Sequence, residues 1–484
     1  MRLTASDAAF LYGETASGPM HISSILILDG ELEFDDVFQH FQSRMHLLPA
    51  YRRKLAQVPM NIAHPIWVED PKFALENHLI DLPLTAGTDL DEAIDKAVEI
   101  NEPLLDRSKP LWMTYVIRGV PGKTLMLHQT HHCMIDGASG VELMAIIYDF
   151  DADADRTEPQ MLEEAAREPL PQELFNDALS ENLQAMSRVD WMRQFAPPGA
   201  DQQVLVQRAA KVMSDFVTKP VMTTPFNSGF VSPHRKLGWL KKSFDEIREI
   251  RRALGGTIND IVLTVVSEAV AEYLAQKGED TSDQYIRIMC PVNVRTENQK
   301  GALGNRVSAI FPVLPAWSMS TPLRLTSVIA ETERIKRNGD AQALTYMQER
   351  APDQWPVALW PTQLVGTPWD PSRYAAAFPA PVMPQMGPRP PMLGYNFTCT
   401  NVPASQVPQY LLGHQITDQI GLLILNGNVG FSVTILSYNK TLFFGFICEP
   451  RLLPEIEVIV EGAEVAFTNL LNAARDRVDT IRQQ

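Results

Sequence analysis

The chain has 484 residues, more than one ordinary domain holds, and its 45% hydrophobic content suits a large buried core. A net charge of −16 argues against a nucleic-acid partner, because phosphate binding needs a basic face. Four scattered cysteines, Cys133, Cys290, Cys399 and Cys448, point to free thiols in a reducing cytoplasm, not to a disulfide framework.

Met1 and Arg2 lead into mixed polar residues, so no signal peptide is expected, and no apolar run reaches the roughly eighteen residues a membrane span needs. His21 to Leu28 reads as a strand, and Phe34 to Leu48 has helical spacing of its apolar residues. Leu111 to Arg118 and Thr124 to Cys133 read as partner strands around a Pro121-Gly122 turn. Ser139 with Glu142 forms a capping box, which predicts a helix from Val141 to about Asp149. An acidic stretch begins at Asp151 and runs to Glu173 as a solvated linker. Helical segments near Gln172–Phe195 and Gln202–Val217 follow, separated by Pro197-Pro198-Gly199. This divides the chain into residues 1–185, a helical crossover at 186–230, and residues 231–484.

In the second half, Ser243 with Glu246 caps a helix ending at Gly255-Gly256, and Thr257 with Asp260 caps another from Ile258 to about Gln276. Asn259 lies in the first turn of that second helix, where unpaired backbone N–H groups favour developing negative charge. It is either an oxyanion or substrate-orienting residue, or only a polar start to the helix. Ile286 to Pro291 reads as a strand with Asn293 and Arg295 at its end. Leu422 to Leu425, Gly430 to Ser437 and Thr441 to Cys448 form a strand series, with turns at Asn426-Gly427 and Asn439-Lys440. Two lesser features are the proline-rich stretch Pro352 to Pro391, with Trp355, Trp360 and Trp369, and the basic segment Arg235 to Arg252. The first is a surface loop or a cover for a buried channel; the second is a solvated helix face or a site for phosphate groups or lipid headgroups.

The most informative stretch is His131-His132-Cys133-Met134-Ile135-Asp136-Gly137, which ends an apolar strand. Side chains alternate along a strand, so His128 and His132 share one face while Gln129 and His131 take the other. An imidazole titrates near neutrality and can take a proton and return it. Asp136 suits a geometric role, paired with an arginine such as Arg295. Adjacent residues on a strand point apart and chelate poorly, and neither HExxH nor paired CxxC occurs, so a metal site is not expected.

HHxxxDG is the signature of acyltransferases related to chloramphenicol acetyltransferase and to the condensation domains of peptide synthetases. The chain resembles, within them, the bacterial wax ester synthase/diacylglycerol acyltransferases. The match includes Leu3-Thr4-Ala5-Ser6-Asp7-Ala8-Ala9-Phe10, Pro19-Met20-His21, Leu104-Leu105-Asp106-Arg107 and Pro110-Leu111-Trp112. Asn259-Asp260, Pro291-Val292-Asn293-Val294-Arg295, Leu303-Gly304-Asn305-Arg306, Asn401-Val402-Pro403 and Ser437-Tyr438-Asn439 extend it end to end. Departures are Ala404-Ser405 where the family often has a glycine and a proline, and Glu449 where relatives often carry aspartate.

The resemblance implies a layered α/β fold of two chloramphenicol-acetyltransferase-like domains with an active-site tunnel between them. It implies acyl transfer from acyl-CoA, as co-substrate, to diacylglycerol or a long-chain fatty alcohol. His132 would be the general base and His131 its support, with Asp136, Gly137 and Arg295 holding the junction. Asn259 would orient substrate, and Trp112 would anchor packing beside the histidines. No metal or redox cofactor is expected, because a thioester is already activated. A cytoplasmic enzyme would meet its lipid peripherally, at the inner membrane surface or at lipid inclusions. Two other classes stand beside this: amide formation as in condensation domains, and a non-catalytic lipid-binding module.

Overall fold

The computed structural model describes residues 1–134, 137–160, 166–188, 199–293, 307–350, 392 and 394–483. In chain order, α1 (Ala5–Gly13) leads to β1 (His21–Asp29) and α2 (Phe34–Arg44). A small ribbon of β2 (Arg53–Ala56) and β3 (Ile66–Glu69) precedes β4 (Leu79–Pro83), α3 (Leu90–Ile100), β5 (Trp112–Arg118), β6 (Lys123–His131) and α4 (Gly137–Ile147). Then α5 (Pro171–Arg188) and α6 (Ala200–Thr218) connect to β7 (Lys236–Ser243), α7 (Phe244–Leu254) and α8 (Ile258–Gln276). The rest is β8 (Tyr285–Asn293), β9 (Val307–Ile310), β10 (Val313–Pro315), α9 (Thr321–Asn338), α10 (Asp340–Arg350), β11 (Phe397–Pro403), β12 (Tyr410–Leu411), β13 (His414–Leu422), β14 (Phe431–Tyr438), β15 (Thr441–Cys448) and α11 (Ile456–Gln483).

The first sheet has the order β12-β13-β1-β6-β5-β4, and the second β10-β8-β11-β14-β15-β7 with β9 beside β8. In the first, β6 is held between β1 and β5 and covered on both faces. That is why Leu125, Met126 and Leu127 are consecutively apolar rather than alternating. Met126 joins the core under α1, α2 and α4, while Leu125 and Leu127 join a second core with α3 residues Ala93, Ile94, Ala97 and Val98.

The second sheet rests on α8, which is buried along most of its length. Its start is fixed by a reciprocal cap. Thr257 Oγ1 accepts the Asp260 amide at 3.2 Å, and Asp260 Oδ2 accepts the Thr257 amide at 2.7 Å. α11 packs across α8 at Gly462, where a Cβ would come within 3.2 Å of the Ala269 backbone.

The second half of the chain lends two strands to the first sheet. β11 and β14 are parallel neighbours, and the chain between them crosses to the first sheet, where β13 pairs with β1 from Ser23↔Leu422 to Leu28↔Ile416. So residues 410–422, from the second half by sequence, complete the sheet of the first. β13 then backs onto the second sheet with almost no space between. A Cβ on Gly421 would lie 2.5 Å from Thr434 Cγ2, and one on Gly445 would collide with the Gly421 carbonyl. Arg235 ties the same seam, donating to the Ser17 carbonyl at 2.9 Å while its amide donates to Glu102.

Several sequence expectations shift. The helix after the histidines opens at Gly137, not Val141, and the side chains of Ser139 and Glu142 are not described. α2 stops at Arg44 and tightens into a 3-10 turn, Met45–Leu47. Ser243 caps α7 through the Asp245 amide rather than through a box with Glu246. Leu422–Leu425 is not a strand of its own; Leu422 ends β13, whose polar alternation conceals it. The basic segment is largely neutralised locally: Lys236 pairs with Glu457, Lys241 with Asp418, Lys242 with Glu464 and Arg248 with Asp245. Residues 351–391, and with them the tryptophan-rich stretch, lie outside the described residues.

Candidate active site

β6 carries the histidine pair to the end of the first sheet. His131 is its last residue, in register with His21 of β1. The His132 amide extends the ladder one step by donating to the Met20 carbonyl at 2.8 Å. The Met134 amide turns back onto the His131 carbonyl at 2.9 Å, and Gly137 then opens α4.

His131 is fully buried. Its Nδ1 accepts the Cys133 amide at 3.1 Å, which leaves the ring proton on Nε2. That nitrogen lies 3.3 Å from Glu14 Oε1, at ion-pair distance. Glu14 directly follows α1; its Oε1 also accepts the Met20 amide at 3.0 Å, and its Oε2 accepts Arg107 Nε at 3.2 Å and Nη2 at 2.9 Å. Burial pushes the Glu14 carboxyl up, but His131, the Met20 amide and Arg107 outweigh it and hold the group down at about 2. His131 is thus a fixed support with both ring nitrogens engaged and no face left for a substrate.

His132 is half-buried, and its ring stacks on Phe10 of α1, with centroids 3.9 Å apart and planes 2° from parallel. His128, three residues before His131, is spent inside the core. Its Nδ1 meets Thr114 Oγ1 at 2.9 Å and its Nε2 meets the Tyr148 hydroxyl at 2.5 Å. Burial pulls it down to about 4, so it is neutral and structural. On the other face, Gln129 donates to Asn101 Oδ1 at 3.0 Å, beside His21, whose Nε2 meets the Asn101 carbonyl at 2.7 Å.

Trp112 is buried between Tyr51 and His78, with ring centroids at 4.4 and 4.7 Å, and its Nε1 donates to the Tyr51 carbonyl at 2.8 Å. It braces the first sheet and does not present a reactive group. Asn259 is exposed at the start of α8 and accepts a 2.6 Å hydrogen bond from Asn401 Nδ2. Asn401 belongs to β11, and α4 packs against β11. The helix that follows the histidines therefore abuts the strand that carries Asn401. Asp136 and Arg295 lie outside the described residues, and Gly137 is described only as the first residue of α4. Glu449 is a buried structural carboxylate that accepts Ser232 Oγ, Arg451 Nε and the Leu452 amide.

Glu14 and the stacking of Phe10 escape sequence reasoning. Phe10 and Arg107 sit inside stretches that carry the family resemblance, but nothing local links them to the histidines. Glu14 falls in the gap between two such stretches.

Residues 3–262 match the family model for the wax ester synthase/diacylglycerol acyltransferase catalytic domain, and residues 371–471 match the WS/DGAT C-terminal domain. The chain belongs to this family and is an acyltransferase. Among its relatives, a protein of Mycobacterium tuberculosis named as a diacylglycerol O-acyltransferase is 25% identical over 493 residues, covering 99% of this chain and 98% of the relative. Another protein so named, from the same species, is 30% identical over 356 residues, covering 70% and 72%. The fold matches the wax ester synthase/diacylglycerol acyltransferase of Marinobacter aquaeolei, with TM-score 0.65 and 18% identity over 98% of this chain and all of that one. It also matches the starter condensation domain of rhizomide synthetase in complex with C8-CoA and Leu-SNAC, with TM-score 0.59 and 13% identity over 98% of this chain and 94% of that one.

Proposed function

We propose that the chain transfers a fatty acyl group from acyl-CoA to the hydroxyl of diacylglycerol or of a long-chain fatty alcohol, with His132 as general base. One observation carries the choice of base. Of the two adjacent imidazoles, His131 is sealed and engaged at both nitrogens, whereas His132 keeps partial access.

His132 takes the proton of the acceptor hydroxyl as its oxygen attacks the thioester carbonyl. The tetrahedral intermediate collapses, the C–S bond breaks, and the proton passes from the imidazolium to the departing thiolate to give CoA. A positioned base of this kind contributes about 10²–10⁴-fold, so orientation and oxyanion stabilisation supply the rest. Cys133, beside the base, is a poor nucleophile, because burial pushes its thiol well above the ordinary range. That favours direct attack over an acyl-enzyme. The thioester is already activated, so the reading requires no metal or redox cofactor. Asn259, held by Asn401, orients the substrate from the second half; a junction role for Asp136 and Arg295 follows from the family resemblance alone.

Among the described residues no single helix is long and apolar enough to cross a membrane. We place the enzyme in the cytoplasm, meeting its lipid acceptor peripherally at the inner membrane or at lipid inclusions.

The test offers purified protein palmitoyl-CoA with diacylglycerol, with hexadecanol and with a long-chain amine in parallel, and measures CoA release beside controls lacking acceptor. Release with either alcohol, abolished in His132→Ala, is the expected result. Release with an amine acceptor alone would assign condensation-type chemistry. No release from folded protein would assign a lipid-binding module.

A further inference from the structure

We infer that Phe10 is a positioning residue for the acid–base imidazole: its ring face fixes the plane of His132 and stabilises the imidazolium formed when the acceptor hydroxyl gives up its proton. The inference rests on the reading of His132 as the base. The 3.9 Å spacing and 2° interplanar angle lay the imidazole parallel over the Phe10 ring, whose electron-rich face attracts a cation more strongly than a neutral ring. The stack therefore favours the protonated ring, the form His132 takes once it has accepted the hydroxyl proton.

α1 is built to hold Phe10 still. Thr4 caps the helix by accepting the Asp7 amide at 3.1 Å, and Ala8 and Leu11 are buried in the first core. Near the other end, the Leu11 carbonyl accepts Arg107 Nη2 at 2.6 Å. Phe10 and Glu14 are four residues apart, about one helical turn, so one short element addresses both rings of the pair. Phe10 faces His132, and Glu14 grips His131 from behind. The other ionisable groups around the site are Asp7 of α1, Glu14, Arg107, His21 of β1, His131 and Cys133, and all of them remain when Phe10 is replaced.

The experiment compares wild type with Phe10→Leu, Phe10→Met and Phe10→Tyr, measuring kcat, KM for acyl-CoA, the pH profile of kcat/KM, and thermal unfolding. The ring-less variants should lose roughly 3- to 30-fold in kcat, with KM within about twofold. Losing the ring face disfavours the imidazolium, so the acid limb of the profile should move to lower pH by about half a unit to one unit. Phe10→Tyr, which keeps a ring face, should restore both. Phe10→Met keeps much of the volume without the ring and serves if Phe10→Leu does not fold. An unmoved acid limb with wild-type kcat would overturn the inference, as would equal loss in Phe10→Tyr. His132→Ala is assayed alongside. If it stays active, the assignment of the base itself fails; if it is inactive while Phe10→Leu is normal, only the role of Phe10 fails.

Discussion

Glu14 and His131 face each other at 3.3 Å with both side chains almost wholly shut off from water. A carboxylate left alone in such a place would cost several kcal/mol, and Arg107 with the Met20 amide keeps it charged. The consequence is mechanical. The peptide bearing His132 is pinned from behind by an ionic group, so the second ring inherits its position from the first.

Glu14→Gln removes the charge and leaves Arg107 and His131 without a counter-ion. Urea unfolding at neutral pH should show a loss of roughly 2–4 kcal/mol. The carboxyl is held below its ordinary value of 4.5, at about 2, so its stabilisation is complete above 4.5 and fades as pH falls toward 2. The gap between wild type and variant should therefore be widest near neutrality and shrink between pH 4.5 and pH 2. A gap of constant size down to pH 3 would rule out the ionic account.

Asn259 and Asn401 should behave as one unit if they orient substrate together. Asn259→Ala and Asn401→Ala should each lower kcat/KM by about three- to tenfold, and the double variant should be scarcely worse than either. Purely additive effects in the cycle would separate them, and unchanged kinetics in both would reduce the contact to surface decoration.

Trp112→Ala empties the space between Tyr51 and His78 and orphans the Tyr51 carbonyl. Chemical denaturation should register about 3–5 kcal/mol of destabilisation. Trp112→Phe should cost less, because it keeps most of the stacking. Activity per folded molecule should change little in the Phe variant, since Trp112 braces the sheet through Tyr51 and His78.

Gly445→Ala places a methyl against the Gly421 carbonyl, which belongs to a strand that cannot retreat without leaving β1. A loss of about 1–3 kcal/mol or more is expected in thermal or urea unfolding. Gly87→Ala, where nothing lies within 4 Å, is a control for added volume, although its own positive φ of 91° adds local strain.

What could be read from the sequence was local. The Thr257–Asp260 cap starts α8 where the residues say it should, and the Asn439-Lys440 turn takes the left-handed φ values of 42° and 59° that join β14 to β15. The histidine strand was equally plain, because its apolar run ends in paired imidazoles. Acyltransferase function came from motifs recognised as a set, not from periodicity. The remainder depended on meetings between distant segments. Glu14 has no local pattern that marks it as the partner of His131. β13 reads as a polar stretch, His414-Gln415-Ile416-Thr417-Asp418, yet Asp418 is buried and paired with Lys241 of β7. Its role follows from where β1 leaves an open edge, which no single window of sequence discloses.

The loan of β13 bears on how the molecule can be cut and how it can move. A fragment ending at residue 262, where the catalytic-domain match stops, would expose the backbone of β1 from Ser23 to Leu28 as a sticky margin prone to self-association. The intact enzyme is sewn together by the same stitch, which opposes any book-like gaping; loading and release then proceed with both lobes still joined.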